Sequence, residues 1–269
     1  LFVDERGDFN PEGGTIEFTG AEDAQISQTP GSHFYDLVIN KTDGVFSKAM
    51  GPESTQKMQN QQGKTPDSRD LYLPESMRAA NQTIIFNSDI DVRNDLMINE
   101  GFLQCGELAD DSYTLELWGD LGGSPNSFIP HEGTVFFDQG TDNQITADMD
   151  FWNVQIAKFE FFELGSVTLA DGISLDIGNN LSIIHGTLAL GLNSTLDIGN
   201  NVNINGDAFL DASSGTNSDI TVSGNWYNQN STNDGTKGFS PGLTTVTFNG
   251  SDQQFIDSDA ANEFFNNLV

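Results

Sequence analysis

Leu175-Asp176-Ile177-Gly178-Asn179-Asn180-Leu181-Ser182-Ile183 returns 21 residues later as Leu196-Asp197-Ile198-Gly199-Asn200-Asn201-Val202-Asn203-Ile204. On each side of a Gly-Asn-Asn break, aliphatic residues alternate with polar ones. Alternation of period two marks a strand with one buried face, and its return at a fixed interval marks a repeat architecture. At a rise of about 3.3 Å per residue, a coil of this length holds roughly three short strands with turns between them. That is one rung of a parallel β-helix. The first half of the chain echoes the rung at Ile90-Asp91-Val92-Arg93-Asn94-Asp95-Leu96-Met97-Ile98.

The pattern predicts the packing. Leu175, Ile177, Leu181 and Ile183 point inward, and the next rung sets Leu196, Ile198, Val202 and Ile204 over them. Gly-Asn-Asn is expected to supply left-handed backbone at the corner. Asn179, Asn180, Asn200 and Asn201 are expected to stack, with amides bonding along the axis.

A second, longer period runs through the chain. Phe9-Asn10-Pro11 with Thr15-Ile16-Glu17-Phe18 returns as Phe128-Ile129-Pro130 with Thr134-Val135-Phe136-Phe137, then as Phe239-Ser240-Pro241 with Thr245-Val246-Thr247-Phe248. Each copy continues through Gln25-Ile26, Gln144-Ile145 or Gln254-Phe255. Each then reaches Phe34-Tyr35-Asp36-Leu37, Phe151-Trp152-Asn153-Val154 or Phe264-Phe265-Asn266-Asn267-Leu268. The reading is an all-β, parallel β-helix (β-solenoid) of tandem units of about 110–120 residues, built from rungs of about 21 residues. Residues 1–13 end a preceding unit, 14–132 form unit one with an irregular insertion at about 43–82, 133–243 form unit two, and 244–269 open a third. A one-dimensional stack needs neighbours or caps at its ends, so the expectation is a segment cut from a longer array.

The run Gly-Thr-Val-x-Phe, then Gln-x-Ile, then Phe-x-x-Leu-x-Ile-x-Lys resembles the tandem β-helical repeats of very large secreted surface proteins of Bacteroidota. The resemblance covers nearly the whole chain except the segment at 43–82. It implies export by the type nine secretion route, an extracellular, cell-surface location, and work as an adhesin, gliding adhesin or surface filament.

Composition narrows the function classes. The 269 residues carry 40 Asp and Glu against 10 Lys and Arg, a net charge of −30. Phosphate-backbone binding needs a basic stripe that this balance does not supply, so nucleic acid is excluded as an expected partner. So acidic a surface repels itself unless salt or divalent cations screen it, which points to a saline or calcium-containing medium. No apolar run is long enough to span a bilayer. One cysteine, Cys105, allows no internal disulfide and reads as a small core residue.

Half of the basic residues, Lys48, Lys57, Lys64, Arg69 and Arg78, fall in the 43–82 insertion. They read as an interaction loop that docks on an acidic neighbour or folds back on its own acidic barrel. Asp89 with Asp91, Asp148 with Asp150, and Asp257 with Asp259 place carboxylates close together and are candidate calcium ligands. No EF-hand loop or Gly-rich calcium nonapeptide is present, and turn formation explains the same pairs. Trp118 and Trp226 could stack on sugars, or cap the core at strand ends. Arg6-Gly7-Asp8 spells a tripeptide read by adhesion receptors, at a length where chance matches abound.

Catalytic β-helices cluster carboxylates and a basic residue on one face. Here Arg93, Lys158 and Lys237 are the basic residues in or beside the regular coils. His33, His131 and His185 share no triad or metal spacing, so a structural role is expected for each. The expectation is a non-catalytic shaft or filament whose partners are other copies of the protein, adjoining repeats, or glycans and proteins of a cell surface. Calcium is the one cofactor entertained, and the alternative is a carbohydrate-binding or polysaccharide-processing β-helix.

Overall fold

The computed structural model describes residues 13–20, 22–41, 83–139, 141–160, 163–230, 237–259 and 263–269. Among these the regular structure is β alone, in 27 short strands. The chain winds as a β-solenoid of about 8 turns with ~24 residues per turn. The 21-residue rung is thus one instance of a coil whose length varies with its corner loops, being 19 residues between Thr134 and Asn153 and 25 between Ile90 and Leu115.

Each turn crosses three faces in the same order. Thr15–Thr19, Asp36–Asn40, Leu96–Glu100, Leu121–Gly123, Asn143–Ile145 and Ser166–Leu169 lie on face one. Face two carries Ala24–Ile26, Thr83–Phe86, Phe102–Cys105 and Phe128–Ile129, then Met149–Phe151, Ser174–Ile177, Thr195–Ile198, Asp219–Val222, Thr245–Phe248 and Asn267–Leu268. Face three carries Ile90–Val92, Thr114–Leu117, Thr134–Asp138, Asn153–Ala157, Trp226–Asn228 and Ile256–Ser258. Two long strands, Leu181–Ala189 and Val202–Asp211, bend around the corner from face three to face one and merge both faces into a 15-stranded sheet. Every pairing is parallel except a two-stranded antiparallel hairpin, Phe159–Glu160 with Glu163–Leu164, which juts from that corner.

Like residues stack because the register is parallel and exact coil on coil. Leu175 sits over Leu196 and Ile177 over Ile198, then Leu181 over Val202 and Ile183 over Ile204, all buried. Each such side chain contributes about 1.5–3 kcal/mol by leaving water. The interior is therefore a set of aliphatic ladders.

At the corners, side-chain oxygens accept from the next coil. Asn179 Nδ2 donates to Asn153 Oδ1 and Asn200 Nδ2 to Asn179 Oδ1, each at 3.0 Å. Asn201 donates its backbone N–H and Nδ2 to Asn180 Oδ1, while its own Oδ1 takes the Asn225 N–H at 2.8 Å. Left-handed backbone is not what Gly178 and Gly199 supply here; the positive-φ asparagines are elsewhere, Asn193 and Asn217 among them. A Cβ on Gly199 would stand 2.4 Å from the Gly178 carbonyl oxygen, and one on Gly178 would stand 2.9 Å from the Trp152 ring. Coil-on-coil contact, rather than φ, requires glycine at this corner.

The longer repeat resolves into one coil and its neighbour. Thr15 lies beside Asp36 and Ile16 beside Leu37; Thr134 pairs with Asn153 and Val135 with Val154; Thr245 pairs with Asn267 and Val246 with Leu268. The three copies occupy faces one, three and two in turn. Successive copies are thus rotated by one face around the axis. No seam marks the boundary at 132/133, where Thr114–Leu117 pairs directly with Thr134–Asp138.

The motif lysine is structural in both copies described. Lys158 is fully buried and donates Nζ to the carbonyl oxygens of Asp138 at 2.6 Å and Trp118 at 3.3 Å. Burial pushes its pKa down to about 8 against the pull of Asp138, Asp142 and Asp120. Lys41, also buried, donates to the Glu22 carbonyl oxygen.

The chain leaves face one at Asn40 and rejoins face two at Thr83 without breaking the stack: Ala24–Ile26 pairs with Thr83–Phe86, and the Thr83 N–H meets Asp23 Oδ1 at 2.9 Å. The interaction-loop residues Lys48, Lys57, Lys64, Arg69 and Arg78 lie outside the described residues, as does Arg6-Gly7-Asp8.

Candidate functional site

Face three carries a departure from the aliphatic-in, small-polar-out rule. The isolated bridge between Phe34 and Val92, with the Phe34 N–H on the Asp91 carbonyl and the Arg93 N–H on the Phe34 carbonyl, sets His33 beside Asp91 and Tyr35 beside Arg93. One coil on, Asp91 pairs with Glu116, and the Trp118 N–H on the Val92 carbonyl brings Trp118 beside Arg93. Phe34, Val92 and Leu117 point into the core. Their neighbours therefore form two outward rows across three coils, His33-Asp91-Glu116 and Tyr35-Arg93-Trp118.

The rows are cross-linked. Arg93 Nε binds Asp91 Oδ2 at 3.2 Å, and its guanidinium lies 4.7 Å from the Trp118 ring centroid. Trp118 Nε1 donates to Glu116 Oε1 at 2.8 Å. Burial raises the pKa of Asp91 above the ordinary carboxylate value, against the lowering pull of Arg93 and His33. Glu116 is raised too, first by burial and then by Asp91 and Asp138, with the Trp118 hydrogen bond opposing. His33 is 7% exposed. Its Nδ1 and the Asp91 Oδ1 are enclosed with no hydrogen-bond partner among the described residues.

This arrangement sets a charge-assisted donor in Arg93, carboxylate acceptors and two aromatic rings on the outer side of the face, over the buried imidazole of His33. Of the sequence candidates, it joins Asp91 and Trp118. It adds His33, Tyr35, Arg93 and Glu116, which sequence order scatters between positions 33 and 118 with the 43–82 segment between them.

The other candidates part company. Trp226 is fully buried, edge-on to Phe239 and Phe265 at 4.9 and 5.4 Å, with Nε1 on Glu263 Oε1 at 3.2 Å. It offers no surface to a sugar, because alternation along Trp226–Asn228 turns it inward and Tyr227 outward. Asp89 Oδ1 accepts the Thr114 N–H at 2.8 Å and Asp148 Oδ1 the Ser174 N–H at 2.7 Å, so both serve as axial acceptors between coils. Burial and then the nearby Asp148 raise the pKa of Asp150, which is also the first step of an outward ladder, Asp150-Asp176-Asp197, on face two. There burial, Asp197 and Asp150 push Asp176 up to about 6. Asp257 and Asp259 line a shallow cavity of about 70 Å³ with Tyr227, Asn228 and Gln229. Among the described residues no three His, Cys, Asp or Glu side chains converge as a metal site.

Cys105 is fully buried, its Sγ 3.5 Å from the Tyr113 carbonyl oxygen, and burial pushes its thiol up to about 11. His131 and His185 lie coils away from His33. Among the described residues no helix is long and apolar enough to cross a membrane. Comparisons with family models, curated proteins and solved structures return no match to this chain.

Proposed function

We propose that this chain is a stiff, non-catalytic shaft segment of a long extracellular surface protein, used in attachment. The observation that carries this reading is the axial system of bonds, in which face two is divided into a four-stranded and a six-stranded sheet. Parallel ladders run coil to coil on all three faces, and corner acceptors such as Asp23, Asp89, Asp120, Asn179, Asn201 and Asn225 link the coils again outside the ladders. A stack bonded this way resists bending, because each bend must open hydrogen bonds on one side. The outward acidic residues keep neighbouring rods apart and soluble.

The stack continues past the 42–82 segment, and the strands Phe159–Glu160 and Glu163–Leu164 pair apart from the three faces; in this reading both places serve lateral contacts with other copies or adjoining repeats. The test is negative-stain imaging with sedimentation velocity, in millimolar calcium and in chelator, on the chain and on a variant lacking 43–82. A rod of constant width in every condition is expected. A compact or flexible particle would overturn the shaft reading, and ordered oligomers lost on deletion would assign assembly to the insertion.

A further inference from the structure

The two outward rows on face three do more than the shaft requires. Further along this face the positions in register with Asp91 and Glu116 are Phe136, Gln155, Ser182, Asn203, Tyr227 and Asp257, single polar or aromatic residues with one carboxylate among them. Between His33 and Trp118 the face instead concentrates two carboxylates, an arginine, an imidazole and two aromatic rings. We propose that His33, Asp91, Glu116, Tyr35, Arg93 and Trp118 form a binding site for a neutral glycan chain lying along the solenoid axis.

Three features select that ligand. Charge comes first: Asp91 and Glu116, with Asp138 close enough to act on both, outweigh Arg93, so polyanions such as uronate polymers, sulfated glycans and nucleic acids are repelled. Neutral polyols keep the attraction, because their hydroxyls donate to carboxylates and accept from a guanidinium. The second feature is aromatic. Tyr35 is 37% exposed and Trp118 half-buried, its indole held in place by Arg93 and Glu116, so each presents apolar area with a polar handle to the C–H faces of sugar rings.

The third is unmet hydrogen bonding at the base of the site. Among the described residues His33 Nδ1 and Asp91 Oδ1 are enclosed without a hydrogen-bond partner, while Asp91 Oδ2 holds Arg93 Nε. An enclosed polar group left unpaired is costly, and a ligand hydroxyl that reached Asp91 Oδ1 would offset that cost. The shape agrees. Three coils at ~4.8 Å spacing make a strip about 10 Å long, a length that suits a polymer lying along the axis. The proposal is of binding and not of cleavage. This inference stands apart from the shaft reading, since imaging tests the one and ligand binding the other.

The experiment is a microarray of defined neutral and anionic glycans probed with the 269-residue chain, followed by titration calorimetry with the soluble oligosaccharide that binds. Neutral glycans are expected to bind and anionic ones to fail. Glu116→Gln and Trp118→Ala are expected to weaken affinity by about tenfold or more, the size of one lost aromatic or charge-assisted contact. Asn203→Ala, on the same face outside the rows, should leave it unchanged. Should Trp118→Ala fail to fold, Tyr35→Ala and Trp118→Phe carry the test. Binding of anionic glycans only, binding of no glycan, or affinity indifferent to Glu116, Trp118 and Tyr35 overturns the proposal. Release of new reducing ends from the bound glycan overturns it as well, by making the site catalytic.

Discussion

The side-chain amide of Asn200 donates to Asn179 Oδ1 across 3.0 Å, one coil away and 21 residues apart in the chain. The bond belongs to an axial line of asparagines, yet its members are not equivalent. Asn200 bonds side chain to side chain, whereas Asn201 Oδ1 also holds the backbone N–H of Asn225.

Asn200→Ala should therefore cost about 0.5–1.5 kcal/mol, the net worth of one hydrogen bond. Asn201→Ala strips a half-buried backbone N–H of its acceptor and should cost about 1–3 kcal/mol. Urea denaturation of the two variants, compared at equal m-value, checks the order. An Asn200 variant the less stable of the pair would show that the amide line, not the backbone acceptor, carries the corner.

Gly199→Ala places a methyl group 2.4 Å from the Gly178 carbonyl oxygen. Backbone on both sides cannot yield as a flexible side chain would, so the two coils must separate locally. A loss of about 1–3 kcal/mol is expected, as for overpacking in a core. Gly172→Ala is the contrast: its Cβ would meet nothing within 4 Å, and its φ of +75° alone sets the penalty. Thermal melts of both variants separate crowding from backbone strain.

Asp176 sets a pH dependence whose sign is opposite to that of an ordinary ion-paired carboxylate. Its folded pKa, about 6, stands above the ordinary carboxylate value of 3.8, first through burial and then through Asp197 and Asp150. The native state thus binds the proton more tightly than the unfolded chain. The stability it supplies is complete below about pH 4 and is lost as pH rises through 6. Asp176→Asn should raise the melting temperature at pH 7.5, by the equivalent of about 1 kcal/mol after solvent screening. At pH 3.5 the variant and the parent should melt together. Equal gains at both pH values would place the effect outside titration.

Trp226→Ala removes an indole buried against Phe239 and Phe265 and takes the donor from Glu263 Oε1, while Oε2 keeps Asn228 and Ser258. The expected loss is about 3–5 kcal/mol. Trp226→Phe keeps the ring packing and should lose less, while still removing the Glu263 contact. Chemical denaturation monitored by the remaining tryptophans Trp118 and Trp152 measures both. A mild Trp226→Ala phenotype would mean that this end of the core collapses readily around the cavity.

Alternation at Leu175–Ile183 and its return at Leu196–Ile204 determined the fold class, the inward residues and the stacked asparagines. Those properties are local and periodic: period two fixes which side chains are buried, and a constant interval fixes what lies over what. The repeated Phe, Thr and Leu positions likewise predicted a recurring coil. What the alternation could not show is which face each copy occupies, since that depends on the summed lengths of all the corner loops before it. It also left the role of Gly178 and Gly199 to the stack, because the need for glycine there arises from the coil alongside and not from local backbone.

The site was less legible still. Asp91 and Trp118 stood out as residue types, but His33, Tyr35, Arg93 and Glu116 became their neighbours only through the coil-on-coil pairing that includes the bridge from Phe34 to Val92, which joins residues from either side of the 43–82 segment in the chain. Trp226 and Trp118 look alike in sequence, and one is core while the other lies at the surface, because strand phase at the coil's end decides the direction of each ring. Sequence by itself determined that this chain is a ladder, because hydrophobic alternation and repeat spacing act along the chain. Only the tertiary structure decided where chemistry gathers, because parallel stacking makes neighbours of residues that the chain holds far apart.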